Sequence, residues 1–139
     1  MPQLTSHDAR EFVANNHHAV MITRRSGDGL QTSPVAVGVN DDGKLVVSSR
    51  ETAYKVRNLR RDPSVTLCVV NDRWFGEWMH IDGTAEVVSL PDAMEHLVDY
   101  YRRIAGEHPD WDEYRRAMEQ EQRVLVRVTI DAVGPTRSG

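Results

Sequence analysis

The sequence predicts a mainly β fold of the α+β class, built as an antiparallel sheet or small barrel with short flanking helices. Two observations predict it. Valine and isoleucine cluster in short runs separated by Gly, Asp and Asn, as in strands joined by turns. Most of these runs follow one another as hairpins, which disfavours a doubly wound parallel sheet, and closure into a barrel would remove exposed strand edges.

The elements of the first half follow in order. TSHDAREFVANN carries Thr5 in a capping box and predicts a helix. HAVMITRR and LQTSPVAVGV, joined by SGDG, predict a hairpin in which Pro34 causes a bulge or takes an edge position, because it cannot donate to a ladder. KLVVSS predicts a third strand, and residues 52–61 predict a short helix that ends before Pro63.

The second half continues with strands and two longer helices. SVTLCVV predicts a strand, and a further strand from about Trp74 to Leu90 would bulge or bend at Asp82 and Gly83. PDAMEHLVDYYRRIAG predicts a helix, PDWDEYRRAMEQ a second one with Asp110 as N-cap, and RVLVRVTIDAV the closing strand. The chain, 1–139, is expected to form one domain with about six strands.

Charge and hydropathy exclude several classes of partner. The chain has a formal net charge of −4, whereas non-specific nucleic-acid binding needs a positive field. No run of about 20 apolar residues predicts a membrane span, and MPQLTSHDAR lacks the apolar region of a signal peptide. We expect a cytoplasmic protein with no nucleic-acid partner and no membrane span.

The residue patterns of several catalytic and metal sites are missing. The six histidines have no paired spacing and none lies near Cys68, so no metal site is expected. Cys68 lies in an apolar run and is expected to be a buried, reduced thiol. No Gly-x-Ser-x-Gly, Walker or Gly-x-Gly-x-x-Gly motif supports hydrolysis through an activated serine or dinucleotide binding of the Rossmann type.

A basic stretch, TAYKVRNLRRDPSV, stands out in this acidic chain. It follows a strand end with hydroxyls at Ser48 and Ser49, and Lys55 lies near the start of the predicted short helix. Hydroxyl donors and fixed positive charge suit a phosphate group. Cations on a solvated helix face are the alternative, and composition alone favours that alternative.

One strand face carries aromatic side chains. If the pleat is regular, Trp74, Gly76, Trp78 and His80 share one face of the long strand. Such a face could fill a core or wall a flat ligand, and both interpretations remain open at this point.

Four segments together resemble a known family: QTSPVAV, TAYKVRNLRRDPSVTL, IDGTAEV and YYRRIAGEHPDWDEYRRAMEQEQRVLVRV. They occur in the order found in flavin and deazaflavin oxidoreductases that resemble pyridoxamine 5′-phosphate oxidase, from about Phe12 to Val133. IAGEHPDWDEYRRAM is similar to the subgroup that uses the deazaflavin coenzyme F-420. The resemblance implies a split β-barrel of the FMN-binding type and a homodimer with the cofactor at its interface.

The resemblance also implies a cofactor site. The phosphate would lie near Ser48, Lys55 and Asn58, and the ring along the QTSPV strand, with residues of the long strand nearby from either protomer. The implied cofactor-binding residues are Gln31, Ser33, Pro34, Val35, Ser48, Ser49, Lys55, Asn58, Trp78, Met79 and His80.

The implied activity is hydride transfer from reduced F-420 to a small planar unsaturated organic acceptor. No catalytic side chain is identified; solvent, His80 or Tyr54 could each donate a proton. An FMN-binding oxidase or flavin reductase is an alternative, as is a carrier that binds a planar cofactor without turnover. Ala53 stands where relatives often have arginine, so Lys55 would hold the phosphate with help from Arg50 or Arg57. An Arg-x-His segment at the C-terminus is lacking, so vitamin B6 oxidation is not expected.

Overall fold

The structure, a computed structural model, describes residues 3–134, which form four helices and seven strands. The elements are α1 (Ser6–Asn15), β1 (His18–Arg24), β2 (Leu30–Ala36), β3 (Gly38–Val39), β4 (Leu45–Arg50), α2 (Tyr54–Arg61), β5 (Ser64–Val70), β6 (Trp78–Val88), α3 (Met94–Ala105), α4 (Trp111–Gln120) and β7 (Arg123–Val133). The C-terminal residues that bear on vitamin B6 oxidation lie outside this described part. None of the four helices is long and apolar enough to cross a membrane.

The strands form one antiparallel sheet in the order β2-β1-β5-β6-β7-β4-β3. β2 and β3 lie at opposite edges, although only Val37 separates them along the chain. The sheet must therefore curl until its two edges approach each other. This is the predicted antiparallel split barrel with short helices, and the mainly β prediction is confirmed. The strand count is seven because LQTSPVAVGV divides into β2 and β3.

Pro34 takes the edge position that the sequence predicts. It lies in β2, which pairs only with β1, and its partner there is Val20. The strand breaks at Val37, three residues later, where the backbone N–H of Val37 donates to the carbonyl of His17 at 2.8 Å. An edge strand accommodates proline because one of its sides needs no N–H donor.

Two apolar clusters hold the fold together. The larger fills the barrel interior and includes Met21, Leu67 and Phe12 from α1. The smaller lies under α3 and α4 and includes Leu97 and Tyr114. Three consecutive residues of β4 are buried, Leu45 to Val47, because this strand has the barrel interior on one face and the helical layer on the other.

The helix starts follow the predicted capping chemistry in two cases. Thr5 and Asp8 form a reciprocal capping box at α1, and the Asp110 side chain accepts from the backbone N–H of Glu113 at 3.1 Å at α4. At α2 the N-cap residue is Ala53, and no side chain caps this helix. No side chain at the N-cap therefore accepts a hydrogen bond from the first backbone N–H groups of α2.

The prediction for the start of the long strand was wrong. β6 begins at Trp78, because the carboxamide of Asn71 accepts from the backbone N–H of Arg73 at 3.0 Å and turns the chain. Trp74 lies in this turn, 83% exposed, and shares no strand face with Trp78. The predicted bulge is confirmed by a register shift between Asp82 and Gly83.

Cys68 also differs from its prediction. It lies on the face of β5 that points away from the barrel interior, between the core residues Leu67 and Val69, and is only half-buried. Residues of the inner face of β5 alternate along the sequence with residues of its outer face. The run is apolar throughout because the outer face is also partly apolar.

Candidate functional site

The barrel is open between β2 and β4. β3 pairs only with Leu45 and Val46 of β4, so the rest of β4 has no strand on that side. We call the gap between 34–36 of β2 and 48–50 of β4 the split. It contains a cavity of about 340 Å³ lined by Pro34, Val35, Ala36, Ser48, Ser49, Arg50, Ala53, Lys55 and Arg123.

The free edge of β2 faces this cavity with its backbone. Because Pro34 has no N–H, its pair with Val20 must be of the non-hydrogen-bonded kind. The alternation of antiparallel pairs then makes His18 and Ala36 the same kind, so the polar backbone groups of Ala36 point into the split. The phenol of Tyr100 donates to the carbonyl oxygen of Ala36 at 2.7 Å, which agrees with this direction.

Three cations reach the split from three elements. Arg123, the first residue of β7, donates to one carboxylate oxygen of Glu121 from Nε at 3.0 Å and from Nη2 at 2.8 Å. Arg50, which pairs with Arg123 across β4 and β7, lies 3.5 Å from the same oxygen. Lys55 is the third cation. The carboxylate of Glu121 thus contacts two of the three cations, Arg123 and Arg50.

Lys55 is the cation whose charge is least compensated. It is half-buried, and within residues 3–134 it makes no hydrogen bond or ion pair. Burial lowers the pKa of Lys55 from its ordinary value, and the nearby positive charge of Arg123 lowers it further. An anion in the cavity would oppose both effects by attracting the charged form of Lys55, so the surroundings of Lys55 favour an anionic ligand.

The N-terminus of α2 is a second feature that attracts anions. Ala53 and Lys55 line the cavity, and the first turn of α2 has neither a capping side chain nor an acidic residue. Unpaired N–H groups and the positive end of the helix dipole attract anions. Together with Lys55, Arg50 and Arg123, this helix start makes the split a site suited to a phosphate group.

The structure brings five of the predicted cofactor-binding residues together at the split: Pro34, Val35, Ser48, Ser49 and Lys55. Gln31 and Ser33 lie farther along β2 and do not line the cavity. Ser33 nevertheless has a buried hydroxyl oxygen without a hydrogen-bond partner in the described part of the chain. Buried polar groups are normally paired, so this unpartnered hydroxyl is an exception among the described residues of β2.

Asn58 lies elsewhere. Its side chain is buried, donates to the hydroxyl of Thr23 at 3.1 Å and accepts from Arg61 at 3.1 Å. The first contact holds α2 to β1, and the second lies within the last turn of α2. Asn58 does not line the cavity, and its amide is already used.

The residues of β6 are also distant from the split within one chain. Met79 is fully buried in the core, and Trp78 and His80 lie half-buried on the opposite, outer face. β1 and β5 lie between β2 and β6, so a cross-strand row from Pro34 to His80 spans roughly 14 Å. His80 is 3.0 Å from the carboxylate of Asp82, which lies farther still along β6.

A larger hollow of about 600 Å³ lies near the bulge of β6. Its lining includes the carboxylates of Asp82 and Asp131, which accept hydrogen bonds from Thr66 at 2.7 Å and Thr84 at 2.6 Å. The hydrogen bond from Thr66 is the main reason that the pKa of Asp82 is lowered. With two carboxylates against the single guanidinium of Arg24, this hollow suits a phosphate less well than the split does.

Sequence reasoning missed Arg123 and Tyr100. Neither belongs to the basic stretch, and both reach the split only because β7 pairs with β4 and because α3 packs beside β3 and β4. Of the two helpers expected for Lys55, Arg50 lines the cavity. Arg57 instead lies over the ring of Tyr54, 5.9 Å from its centroid.

Solved structures share this architecture. A conserved hypothetical protein from Mycobacterium tuberculosis is 21% identical with a TM-score of 0.76, over 96% of this chain and 88% of that chain. An F-420 reductase is 18% identical with a TM-score of 0.68, over 91% and 96%. A heme binding protein from Mycobacterium smegmatis is 16% identical with a TM-score of 0.71, over 96% and 54%.

At these identities the structural likeness concerns the fold. The sequence itself matches a family model described as pyridoxamine 5′-phosphate oxidase over residues 5–137, which is nearly the whole chain. The match includes every strand of the barrel and all residues that line the split. This chain belongs to the pyridoxamine 5′-phosphate oxidase family.

Proposed function

We propose that this protein is an oxidoreductase that binds the deazaflavin coenzyme F-420 in the split and reduces a small planar unsaturated organic acceptor. One observation carries the proposal: Lys55 is a half-buried cation with a lowered pKa, beside Arg123 and an uncapped helix start. A phosphate group is the ligand that such a site stabilises most. The likeness of the fold to an F-420 reductase supports the choice of coenzyme.

The chain's own residues would bind and orient the coenzyme. Lys55 and Arg123 would hold the phosphate, with the hydroxyls of Ser48 and Ser49 as further donors. The ring would lie beside the edge of β2, the strand that carries the unpaired hydroxyl of Ser33. The bound coenzyme supplies the hydride chemistry. Orientation of the two reactants can contribute about 7–11 kcal/mol toward lowering the barrier.

We further propose a homodimer in which the partner completes the site. The outer face of β1, β2, β5 and β6 exposes apolar side chains, with Val20 39% and Leu30 57% exposed. Burial of such a face against a second copy is favourable. Trp78 and His80 lie on this same face, so a partner seated there could present its own β6 to the split.

FMN is a second candidate for the same site. Its phosphate is a monoester that carries close to two negative charges at neutral pH. The split holds three cations, Lys55, Arg50 and Arg123, against the single carboxylate of Glu121. That balance of charge favours a dianion, as found in FMN.

The test is a direct fluorescence titration of the purified protein with F-420 and, separately, with FMN. We expect saturable quenching by F-420 that is at least about tenfold tighter than binding of FMN, a difference of about 1.4 kcal/mol. Reduced F-420 should then be consumed when a panel of planar unsaturated acceptors is added. Tighter binding of FMN would replace the proposed coenzyme, and tight binding of F-420 without consumption would indicate a carrier.

A further inference from the structure

The segment YYRRIAGEHPDWDEYRRAM covers the end of α3, most of α4 and the loop between them, and none of its residues belongs to the proposed binding set. We infer that Tyr100, in α3, is a positioning residue that sets the width of the split and so tunes its affinity for the coenzyme phosphate. The inference rests on the proposed function in placing that phosphate in the split. It concerns a residue that lies behind the cavity wall and does not line it.

Two contacts from one face of α3 fix the chain where it passes from β2 to β3. Tyr100 donates to the carbonyl of Ala36 at 2.7 Å, and Arg103 donates from Nη1 to the carbonyl of Val39 at 2.9 Å. The donors are three residues apart on the helix and therefore lie on one face. Asp99 and Asp41 hold the Arg103 guanidinium at 2.6 Å and 2.8 Å, so α3 is itself fixed.

The helix that carries this phenol packs against the opposite wall, because Val46 of β4 lies in one apolar cluster with Leu97 and Val98 of α3. Burial raises the pKa of Tyr100, while the nearby backbone of Ser48 and the charge of Arg123 lower it. Ala36 lies on the β2 wall of the split, Ser48 lies on the β4 wall, and Arg123 is one of the anion-binding cations. The hydroxyl of Tyr100 thus ties the β2 wall to a helix that packs against β4, the strand of the other wall.

Removal of this hydroxyl would affect an anion in the split in two ways. The β2 wall would lose its tie to α3, so the distance between the donors of the two walls would no longer be fixed. The carbonyl oxygen of Ala36 would also lose its donor, and its partial negative charge would then face the bound phosphate. Both changes weaken anion binding, although Tyr100 carries no charge and touches no ligand.

The experiment compares Tyr100→Phe with a matched control, Tyr114→Phe. The hydroxyl of Tyr114 is buried under the same two helices and donates to the carbonyl of Leu97 at 2.8 Å, which belongs to α3 and not to a wall of the split. Affinities for F-420 and FMN are measured by fluorescence titration at two salt concentrations, together with the thermal midpoint of each variant. Lys55→Ala serves as the reference for loss of a charge.

We expect Tyr100→Phe to weaken binding of both coenzymes by about fivefold, the usual effect of one lost hydrogen bond. The salt dependence of binding should stay unchanged, whereas Lys55→Ala should reduce it, because only the lysine removes a charge. Tyr114→Phe should lower the thermal midpoint without a change in affinity. Wild-type affinity in Tyr100→Phe, or equal weakening in Tyr114→Phe, would overturn the inference while leaving the proposed function standing.

If the wild-type protein binds neither coenzyme, the proposed function fails, and inorganic phosphate then tests Tyr100 alone. Phosphate is titrated into the wild-type protein and into Tyr100→Phe while the backbone amide signals of Ser48 and Ser49 are followed by NMR. A response that saturates at several-fold lower phosphate in the wild type supports the inference. Equal titrations, or no response in the wild type, refute it.

Discussion

Lys55 and Arg123 bring two like charges to one cavity from α2 and β7, and the charge of Arg123 helps to lower the pKa of Lys55. Repulsion of this kind destabilises the free protein slightly and is relieved when an anion lies between the two cations. The site is therefore arranged for a ligand more than for the stability of the fold.

Replacement of Lys55 by alanine should weaken binding of the coenzyme by about tenfold to a hundredfold, the range for loss of a hydrogen bond to a charged group. The slope of affinity against salt concentration should also fall. Fluorescence titration at two salt concentrations measures both. Lys44→Ala, which removes a lysine at the start of β4, is the matched control and should bind as the wild type does.

Affinity should depend on pH through Lys55. Its pKa in the free protein is below the ordinary 10.5, so binding is strongest below that lowered pKa and weakens as the pH rises through it. The lowered pKa also affects stability. The free energy of unfolding of the free protein rises as the pH increases from that lowered pKa toward 10.5, because the folded state loses this proton more readily than the unfolded state. Titrations from about pH 7 to about pH 10 measure the first effect. In Lys55→Arg the charge does not titrate in that range, so a pH dependence that persists there would assign the effect to another group.

Asn58→Ala should affect stability far more than coenzyme binding. The substitution leaves the buried hydroxyl of Thr23 without its donor and Arg61 without one acceptor, at a cost of about 1–3 kcal/mol in the free energy of unfolding. Urea denaturation measures the loss. Asn15→Ala, at an exposed helix position, should change stability by less than about 0.5 kcal/mol. A large loss of affinity in a stable Asn58→Ala protein would return Asn58 to the phosphate site.

The proposed dimer is tested by Val20→Lys. A lysine at the centre of the outer sheet face would place a charge in the proposed interface, so we expect the wild type to sediment as a dimer and the variant as a monomer. Gln120→Lys adds the same charge at the exposed end of α4 and should remain dimeric. A monomeric wild type, or a dimeric Val20→Lys, would contradict the proposed interface.

The fold was predictable because its determinants are local. Alternating strands, the capping residues Thr5 and Asp110 and the edge preference of Pro34 are readable within a few residues of each position. The start of β6 was not, because the turn made by Asn71 overrides the strand preference of Trp74 and Phe75. Propensity describes each residue alone, whereas a side-chain hydrogen bond to the backbone decides for several residues at once.

Only those residues of the candidate site that lie close together in the sequence were predictable. Lys55, Ser48 and Ser49 lie close together in the sequence, and their chemistry indicated an anion. Arg123 joins them through strand register and Tyr100 through helix packing, neither of which a single sequence displays. Asn58 shows the converse: a polar residue in the right segment points inward because α2 needs a fastening to β1.

Because a single residue separates β2 from β3, the chain itself limits how far apart the two edges of the sheet can lie. Most barrels set their circumference by pairing alone, but here Val37 ties one margin of the sheet to the other. An insertion at this corner would loosen the seam without touching the anchoring cations. A change in the length of this corner would therefore alter how far apart β2 and β4 lie while leaving Lys55 and Arg123 in place.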